Sequence, residues 1–370
     1  MIFTYKLFYI FSYFVQTITM KFLRLLGINS LVLLFLLTIV GAVAYYSQVR
    51  RIDTFFKLTG ESHVAYLQYD STAMFVHKPN IKVYENWGKP NQKFNGERRT
   101  NNLGFREDQD ILEKKENEYR ILVTGDSHTD GALRYNNQSF INVWETHLNQ
   151  LDSATVYNGI NGGTAYYTFR NYLGFIQKYS YLKPDIYLIN IFTGNDFRET
   201  FLYEDSRTSF STIYKNLNLR VKKRIVTFGA KKFPLTQGID QTLYFKSFPD
   251  DKEKALAIAQ KYLLAIKKVC EKENIKLIVT LLPSKTETNT NFKEEIKSNY
   301  NISEKDINAN LQLTNSLIGW LNTEAIENYN LTPVLEQATE KVFWDHDLHI
   351  NDNGHRLIGE YLFNTIKTGN

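Results

Sequence analysis

A serine hydroxyl is a weak nucleophile until a base accepts its proton, and that base is usually a histidine steadied by a carboxylate. The chain carries all three residue types in suitable settings. Residues 119–129 read Tyr-Arg-Ile-Leu-Val-Thr-Gly-Asp-Ser-His-Thr. This is an apolar run of strand length that stops at a Gly-Asp turn and hands over to Ser127. Such a turn presents a side chain at the carboxyl end of a strand, where open α/β sheets place their chemistry. Of the seven histidines, His346, His349 and His355 cluster near the C-terminus beside Asp345 and Asp347. His349 follows Asp347 by two residues, so one short loop carries a base and its orienting carboxylate together.

The charge that develops on an attacked carbonyl needs donors aimed at it. Residues 159–163 form a Gly-rich turn, Gly-Ile-Asn-Gly-Gly, where backbone N–H groups come within close reach because glycine has no Cβ. Asn195, in Thr193-Gly194-Asn195-Asp196, offers a side-chain amide at the end of another apolar run. A metal site made from Asp345, His346, His349 and His355 is the weaker use of those residues, since neighbouring loop side chains seldom all face one ion.

These residues need a scaffold that brings strand ends together, and the periodicity supplies one. Strand 119–124 leads to a helix near 139–149, with Phe140, Val143, Trp144 and Leu148 on one face. Thr155–Tyr157 reads as a strand, followed by a helix with Phe169, Tyr172, Leu173 and Ile176 inward. A strand at 186–192, a helix at 251–273 and a strand at 275–282 continue the alternation. A helix over 304–328 begins with Ser303 and Asp306 as a capping pair; a short strand near 333–335 and a final helix from Asn353 complete it. Strands alternating with helices predict a parallel sheet covered on both faces. Residues 197–250 interrupt the rhythm and are expected to be an insertion. Residues 51–118 are a polar, irregular leader, expected to be loops with a few short strands, within which residues 100–106, Thr-Asn-Asn-Leu-Gly-Phe-Arg, stand out as a turn.

Residues 1–50 are expected to target or anchor the chain. Leu31–Tyr46 carries no charge and, extended back to Leu25, approaches the ~20 residues that a bilayer needs. Two readings stand: a transmembrane anchor, and a signal peptide cleaved near Ala42-Val43-Ala44. Lys21 and Arg24 precede the run and Arg50 and Arg51 follow it, so flanking charge leaves the orientation open. Met20-Lys-Phe-Leu-Arg has the pattern of a translation start, and residues 1–19 are expected to be an over-called extension.

The whole chain of 370 residues is 43% hydrophobic and 22% charged, the composition of a folded protein. Its net charge of +5 is spread along the sequence with no dense basic block, so nucleic acid is not an expected partner. A single cysteine, Cys270, excludes an internal disulfide and a cysteine-based zinc site.

Taken in order, Gly125-Asp126-Ser127, the glycine after a short strand, Gly194-Asn195-Asp196 and Asp347-x-His349 resemble the SGNH (GDSL) hydrolase superfamily. The four blocks span residues 119–365. The resemblance implies a three-layer α/β/α, flavodoxin-like fold over residues 119–370 and acyl-ester chemistry with no bound cofactor or metal. It implies Ser127 as nucleophile and His349 as base. Asp347 is its partner, with Asp345 the alternative, because the family often has Asp three residues before His and that place is held by His346. It implies an oxyanion site from the Ser127 N–H, Gly162 (or Gly163) and Asn195. Residues 102–106 are similar to the leader of membrane-linked members associated with surface polysaccharide. The expected substrate is therefore an acyl ester, acetyl first, of cell-surface carbohydrate, met outside the cytoplasm. An O-acyltransferase using the same triad and a non-catalytic polysaccharide-assembly factor are the alternatives.

Overall fold

The computed structural model describes residues 18–43, 66–86, 95–205, 237–345 and 348–368. It divides into two compact units, residues 1–65 and 66–370. In the first, helix α1 (Ile18–Val43) has 26 residues, a mean hydropathy of 2.4 over its most apolar window and no buried part. At 1.5 Å per residue it is about 39 Å long, beyond the ~30 Å hydrocarbon core of a bilayer.

The second unit opens with two antiparallel hairpins. One pairs β1 (Leu67–Asp70) with β2 (Met74–His77), and the other pairs β3 (Lys82–Asn86) with β4 (Asn95–Arg99). The alternating region then begins. Strands β5 (Glu118–Gly125), β6 (Val156–Asn161), β7 (Ile186–Phe192), β8 (Lys276–Leu282) and β9 (Glu327–Asn330) form one parallel sheet in the order β6-β5-β7-β8-β9. The first strand of this sheet sits between the second and third. That reversal is the switch point at which doubly wound sheets bind ligands, beyond the carboxyl ends of the strands.

Between the strands lie α2 (Ser127–Asp130), α3 (Phe140–Leu151), α4 (Phe169–Tyr179), α5 (Asp196–Asp205), α6 (Ile239–Ser247) and α7 (Asp250–Glu273). They continue with α8 (Lys285–Thr288), α9 (Thr290–Tyr300), α10 (Glu304–Ile307), α11 (Ala309–Thr323), α12 (Thr332–Glu336) and α13 (Asp352–Thr365). Every residue of β7 is buried, because helices cover both faces of this central strand. Ile121, Val123, Leu188 and Ile278 face α3 and α13 through Phe140, Trp144, Ile358 and Leu362. Residues at the intervening positions point the other way, where Tyr187 stacks on Phe175 of α4 and its hydroxyl donates to the Tyr172 carbonyl at 2.7 Å.

Three expected elements differ. The helix over 304–328 is broken at Asn308 into α10 and α11; Ser303 does cap it, its Oγ accepting from the Asp306 N–H at 3.1 Å. Residues 333–335 lie in helix α12 rather than a strand, and the pairing strand is Glu327–Asn330, just before. Pro333 explains the swap: it has no N–H for a ladder but suits the first turn of a helix. The ends of the 197–250 region are helical, in α5 and α6, and residues 206–236 lie outside the described residues.

Strand β6 is a sheet edge, and two carboxylates accept from its backbone. Glu107 Oε1 accepts from the Asn161 N–H at 2.8 Å, and Glu145 Oε2 from the Gly159 N–H at 3.0 Å. Burial, reinforced for Glu107 by the Glu145 charge, pushes Glu107 up to about 8 and Glu145 up to about 7. A folded-state value above the unfolded 4.5 means that the folded protein binds the proton more tightly. This stabilisation is complete below pH 4.5 and is lost as pH rises through 8. The melting temperature should therefore decline across that window, and Glu107→Gln should flatten the decline in thermal melts.

Candidate active site

The position of Ser127, the expected nucleophile, is built by three local features. Strand β5 ends at Gly125, where a Cβ would stand 2.1 Å from Thr129 Oγ1 and 2.7 Å from the Asn190 carbonyl. Only glycine lets the chain fold back this tightly. Asp126 caps α2, its Oδ1 accepting from the His128 N–H at 2.9 Å. The cap is therefore Asp126, which leaves the Ser127 hydroxyl without a capping duty. Beneath α2, Asn190 Nδ2 donates to Thr129 Oγ1 at 2.9 Å and Thr280 Oγ1 donates to Asn190 Oδ1 at 2.8 Å, tying α2 to β7 and β8.

Ser127 Oγ lies 2.8 Å from His349 Nε2. The two residues are 222 positions apart in sequence and meet across the open end of the sheet. His349 is held by an antiparallel bridge between Phe343 and Ile350, with the Trp344 N–H donating to the His349 carbonyl at 2.8 Å. Asn351 closes the loop: its Oδ1 accepts from the Gly354 N–H as the cap of α13, and its Nδ2 donates to the Lys341 carbonyl at 2.8 Å. Leu348, immediately before His349, has a φ of 65°. That left-handed conformation costs a branched residue about 1 kcal/mol or more and recurs where a functional loop is over-determined.

Asp347, the expected orienting carboxylate, lies outside the described residues. The alternative, Asp345, is engaged elsewhere, 2.9 Å from Lys341 Nζ and 3.6 Å from Lys285 Nζ. His355 is also committed: it is buried, stacks on Phe140, and its Nδ1 accepts from the Phe140 N–H at 3.2 Å.

The strands on either side of β5 deliver the other expected residues. Gly162 and Gly163 follow β6, and Asn195 follows β7. Glycine is required at both turn positions, since a Cβ at Gly162 would enter the Phe175 ring and one at Gly163 would meet the Asp130 backbone at 2.3 Å. The Gly162 N–H donates to the Val123 carbonyl at 2.8 Å, and the Gly163 N–H to Asn161 Oδ1 at 3.0 Å. Asn195 is half-buried, and its Oδ1 accepts no hydrogen bond from the described protein. The Ser127 N–H stands at the first position of α2, where no intrahelical acceptor exists.

Residues to which the sequence assigned no role complete the surroundings. Asp130, fully buried one turn after Ser127, is the shared anion of Arg98 and Arg106, with His77 Nε2 3.4 Å from the same oxygen. Although burial works against it, the Arg98, His77 and Arg106 charges hold its carboxyl down at about 2. Arg106 also donates to Asn136 Oδ1 at 3.0 Å and to the Arg134 carbonyl at 2.8 Å. The leader is thereby wired to α2. Its turn is self-made: Asn101 Oδ1 accepts from the Leu103 and Phe105 N–H groups, and Gly104, at φ 87°, passes 2.4 Å from the His77 carbonyl at its would-be Cβ. Nothing in local spacing announced that Asp130 and these arginines meet, because 24 to 53 positions separate His77, Arg98 and Arg106 from it.

On the other side, Asp126 and Asp196 are two fully buried carboxyls. Burial raises both above the usual carboxylate range. Asp196 accepts from the Tyr172 hydroxyl at 2.7 Å and from the Phe192 N–H at 3.1 Å, which fixes the turn that carries Asn195. Finally, His128 and Gln237 stand beside the Ser127–His349 pair. His128 Nδ1 receives the Ile350 N–H at 3.2 Å, and its Nε2 is 2.8 Å from Gln237 Oε1. Gln237 Nε2 is 3.1 Å from His349 Nε2.

A doubly wound parallel sheet with a serine on its first strand turn and a histidine within hydrogen-bond reach defines a serine ester hydrolase of α/β/α type. Residues 121–362 match the family model of the GDSL-like lipase/acylhydrolases, and the chain belongs to that family. No curated protein sequence matches it. Among solved structures it is similar to a G-D-S-L family lipolytic protein of Desulfitobacterium hafniense DCB-2, at 17% identity over 67% of this chain and 99% of that one, with a TM-score of 0.37. It is also similar to the acetyl xylan esterase AlAXEase, at 13% identity over 67% of this chain and 100% of that one, with a TM-score of 0.41. A third similarity is to TesA, at 14% identity over 67% of this chain and 98% of that one, with a TM-score of 0.39.

Proposed function

We propose that the protein cleaves acyl esters, acetyl esters foremost, of cell-surface carbohydrate through an acyl-enzyme on Ser127. The observation that carries this reading is the 2.8 Å contact between Ser127 Oγ and His349 Nε2. Ser127 attacks the ester carbonyl as His349 takes its proton. The oxyanion is met by the Ser127 N–H and the Asn195 amide. The Gly162 turn is the third expected element of the oxyanion site, where the Gly162 N–H itself donates to the Val123 carbonyl at 2.8 Å. Asp347 holds the His349 ring in the tautomer that leaves Nε2 open. His349 then returns the proton to the departing alcohol, and water or a second hydroxyl takes the acyl group from Ser127.

The membrane assignment belongs to the same proposal. Helix α1 has the length and composition of a membrane span and serves as an anchor, with the catalytic unit outside the cytoplasm. The carbohydrate substrate is supported by the leader residues Asn102–Arg106 and by this placement. Incubating the protein with an acetylated surface glycan and a deacetylated acceptor tests both outcomes of the acyl-enzyme. Free acetate is expected as the main product; acetyl transfer to the acceptor with little acetate would make it an acyltransferase. Absence of both, with no covalent labelling by a fluorophosphonate, would make it a non-catalytic assembly factor.

Asn195→Ala removes one oxyanion donor and should lower kcat by about 10²–10³ with little change in KM. Steady-state kinetics on 4-nitrophenyl acetate read this directly, and a loss confined to KM would reassign Asn195 to substrate binding.

A further inference from the structure

We infer that Gln241 of α6 caps α5 in place of Asn195, and so leaves the Asn195 amide free for the oxyanion. Gln241 is thereby a positioning residue of the site. The inference rests on the reading of Asn195 as an oxyanion donor.

Asn195 stands where a helix takes its cap. Helix α5 begins at Asp196, and the Glu199 N–H donates to the Asn195 carbonyl at 2.9 Å. Asn195 is therefore the residue just before the first turn. Asparagine is preferred there because its side-chain oxygen accepts from the N–H two or three residues on. The N–H three residues on belongs to Arg198. It donates instead to Gln241 Oε1 at 2.9 Å, on a residue 43 positions later. Asn195 Oδ1 is buried and accepts nothing among the described residues. An idle buried acceptor is costly, so each one calls for an explanation. Here it is an asparagine relieved of its cap.

The direction of the Gln241 amide is not open to choice. The Arg198 N–H only donates, so the amide oxygen faces it. The Thr193 carbonyl only accepts, so the amide nitrogen faces it, at 2.7 Å. The second N–H of that nitrogen goes to Asn310 Oδ1 at 2.8 Å, and Asn310 Nδ2 donates to the Gly238 carbonyl at 3.1 Å. Gln241 and Asn310 are both fully buried. One side chain thus grips the turn on either side of Asn195, at Thr193 and at Arg198. The Arg198 guanidinium pairs with Asp240, the neighbour of Gln241, and fastens α5 to α6 a second time.

The consequence is a choice between two positions for one amide. If Oδ1 turned to the Arg198 N–H, the Asn195 side chain would fold back over the first turn of α5, and its NH₂ would be drawn away from the carboxyl end of the sheet. With Gln241 in place, the hydrogen bond that would hold it there is already made. The first strand divides its duties in the same way: Asp126 caps α2, and Ser127 beside it is spared.

The test is a mutant cycle read twice, by kcat on 4-nitrophenyl acetate and by melting temperature. Gln241→Met keeps the length and removes the acceptor. Asn195 Oδ1 should then take the Arg198 N–H, and kcat should fall at least about tenfold with little change in KM. Combined with Asn195→Ala it should cost no further activity, because the amide that it positions is already gone. The melting temperature should behave in the opposite way. The double variant should lose more than the sum of the two single shifts, since neither side chain is left to accept from Arg198. Gln241→Glu keeps the acceptor and should hold kcat within about threefold of the wild type. Activity losses that multiply in the double variant, or a Glu variant as impaired as the Met variant, would overturn the role of Gln241. Asn195→Ala carries the test if Gln241→Met does not fold. Removing a working asparagine cap would lower the melting temperature by about 2–4 °C, whereas an Asn195 without that duty predicts a shift within about 1 °C. A drop of several degrees would make Asn195 the cap and end the inference. An Asn195→Ala variant with unchanged kcat would overturn the oxyanion reading beneath it, whatever Gln241 does.

Discussion

Ser127→Ala should lose turnover of 4-nitrophenyl acetate by a factor on the order of 10⁶ in kcat, the scale seen where nucleophile and base act as one unit. The structure makes this a clean substitution. The cap of α2 is the Asp126 carboxylate, not the Ser127 hydroxyl, so the helix keeps its N-terminal hydrogen bond. Thr129, Asn190 and Thr280 fasten α2 to the sheet through hydrogen bonds to one another. The melting temperature is therefore expected to stay within a degree or two. Residual activity, if any, comes from donors that remain in place. Turnover at an unchanged rate would remove Ser127 from the chemistry and require a different nucleophile at the same sheet edge.

Asp130→Asn is expected to have the largest effect on stability. The carboxylate is fully buried and serves as the common anion of Arg98 and Arg106, with His77 Nε2 at 3.4 Å. Removing one member of a buried ionic network strands the opposite charge and costs about 3–5 kcal/mol. In a unit of this size that corresponds to a melting temperature lower by about 10 °C. Activity should fall with it, since Asp130 is the last residue of the helix that Ser127 begins. The acid response has a defined sign. Asp130 is held at about 2, below its ordinary 3.8, so its stabilisation is present above pH 3.8 and is lost as pH falls through 2. In the variant that acid-side loss should shrink, because the group that titrates is gone. A variant as stable as the wild type would mean that His77, Arg98 and Arg106 are satisfied without their anion.

The network also changes how the leader is understood. The few short strands expected within residues 51–118 are the two hairpins, and what composition left unread is that they place His77, Arg98 and Arg106 behind α2. Asn171 Nδ2 of α4 donates to the Ala73 carbonyl at 2.9 Å, and the Tyr167 hydroxyl to the Phe75 carbonyl at 2.7 Å. Strands of four or five residues are too short to show a periodicity that can be read. Their order comes from what they pack against, which is the opposite of the case for β7, where seven consecutive buried residues are plain in the sequence.

Local chemistry on its own determined the parallel sheet, the strand that ends in Gly125-Asp126, the serine after it, the Gly-rich and Asn195 turns, and the histidine loop near the C-terminus. Those are short-range signals: apolar runs of strand length, helical spacing, and turn residues at fixed offsets. The tertiary structure decided what the pieces face. It brought His349 to 2.8 Å from Ser127 across 222 positions, and engaged Asp345 with Lys285 and Lys341. It gave the Gly162 N–H a sheet partner in Val123, gathered Arg98 and Arg106 onto Asp130, and set Gln237 between two histidines. These are long-range contacts between polar side chains. They leave no periodic trace in a sequence, because a hydrogen bond depends on where two backbones have been carried by the packing of everything between them.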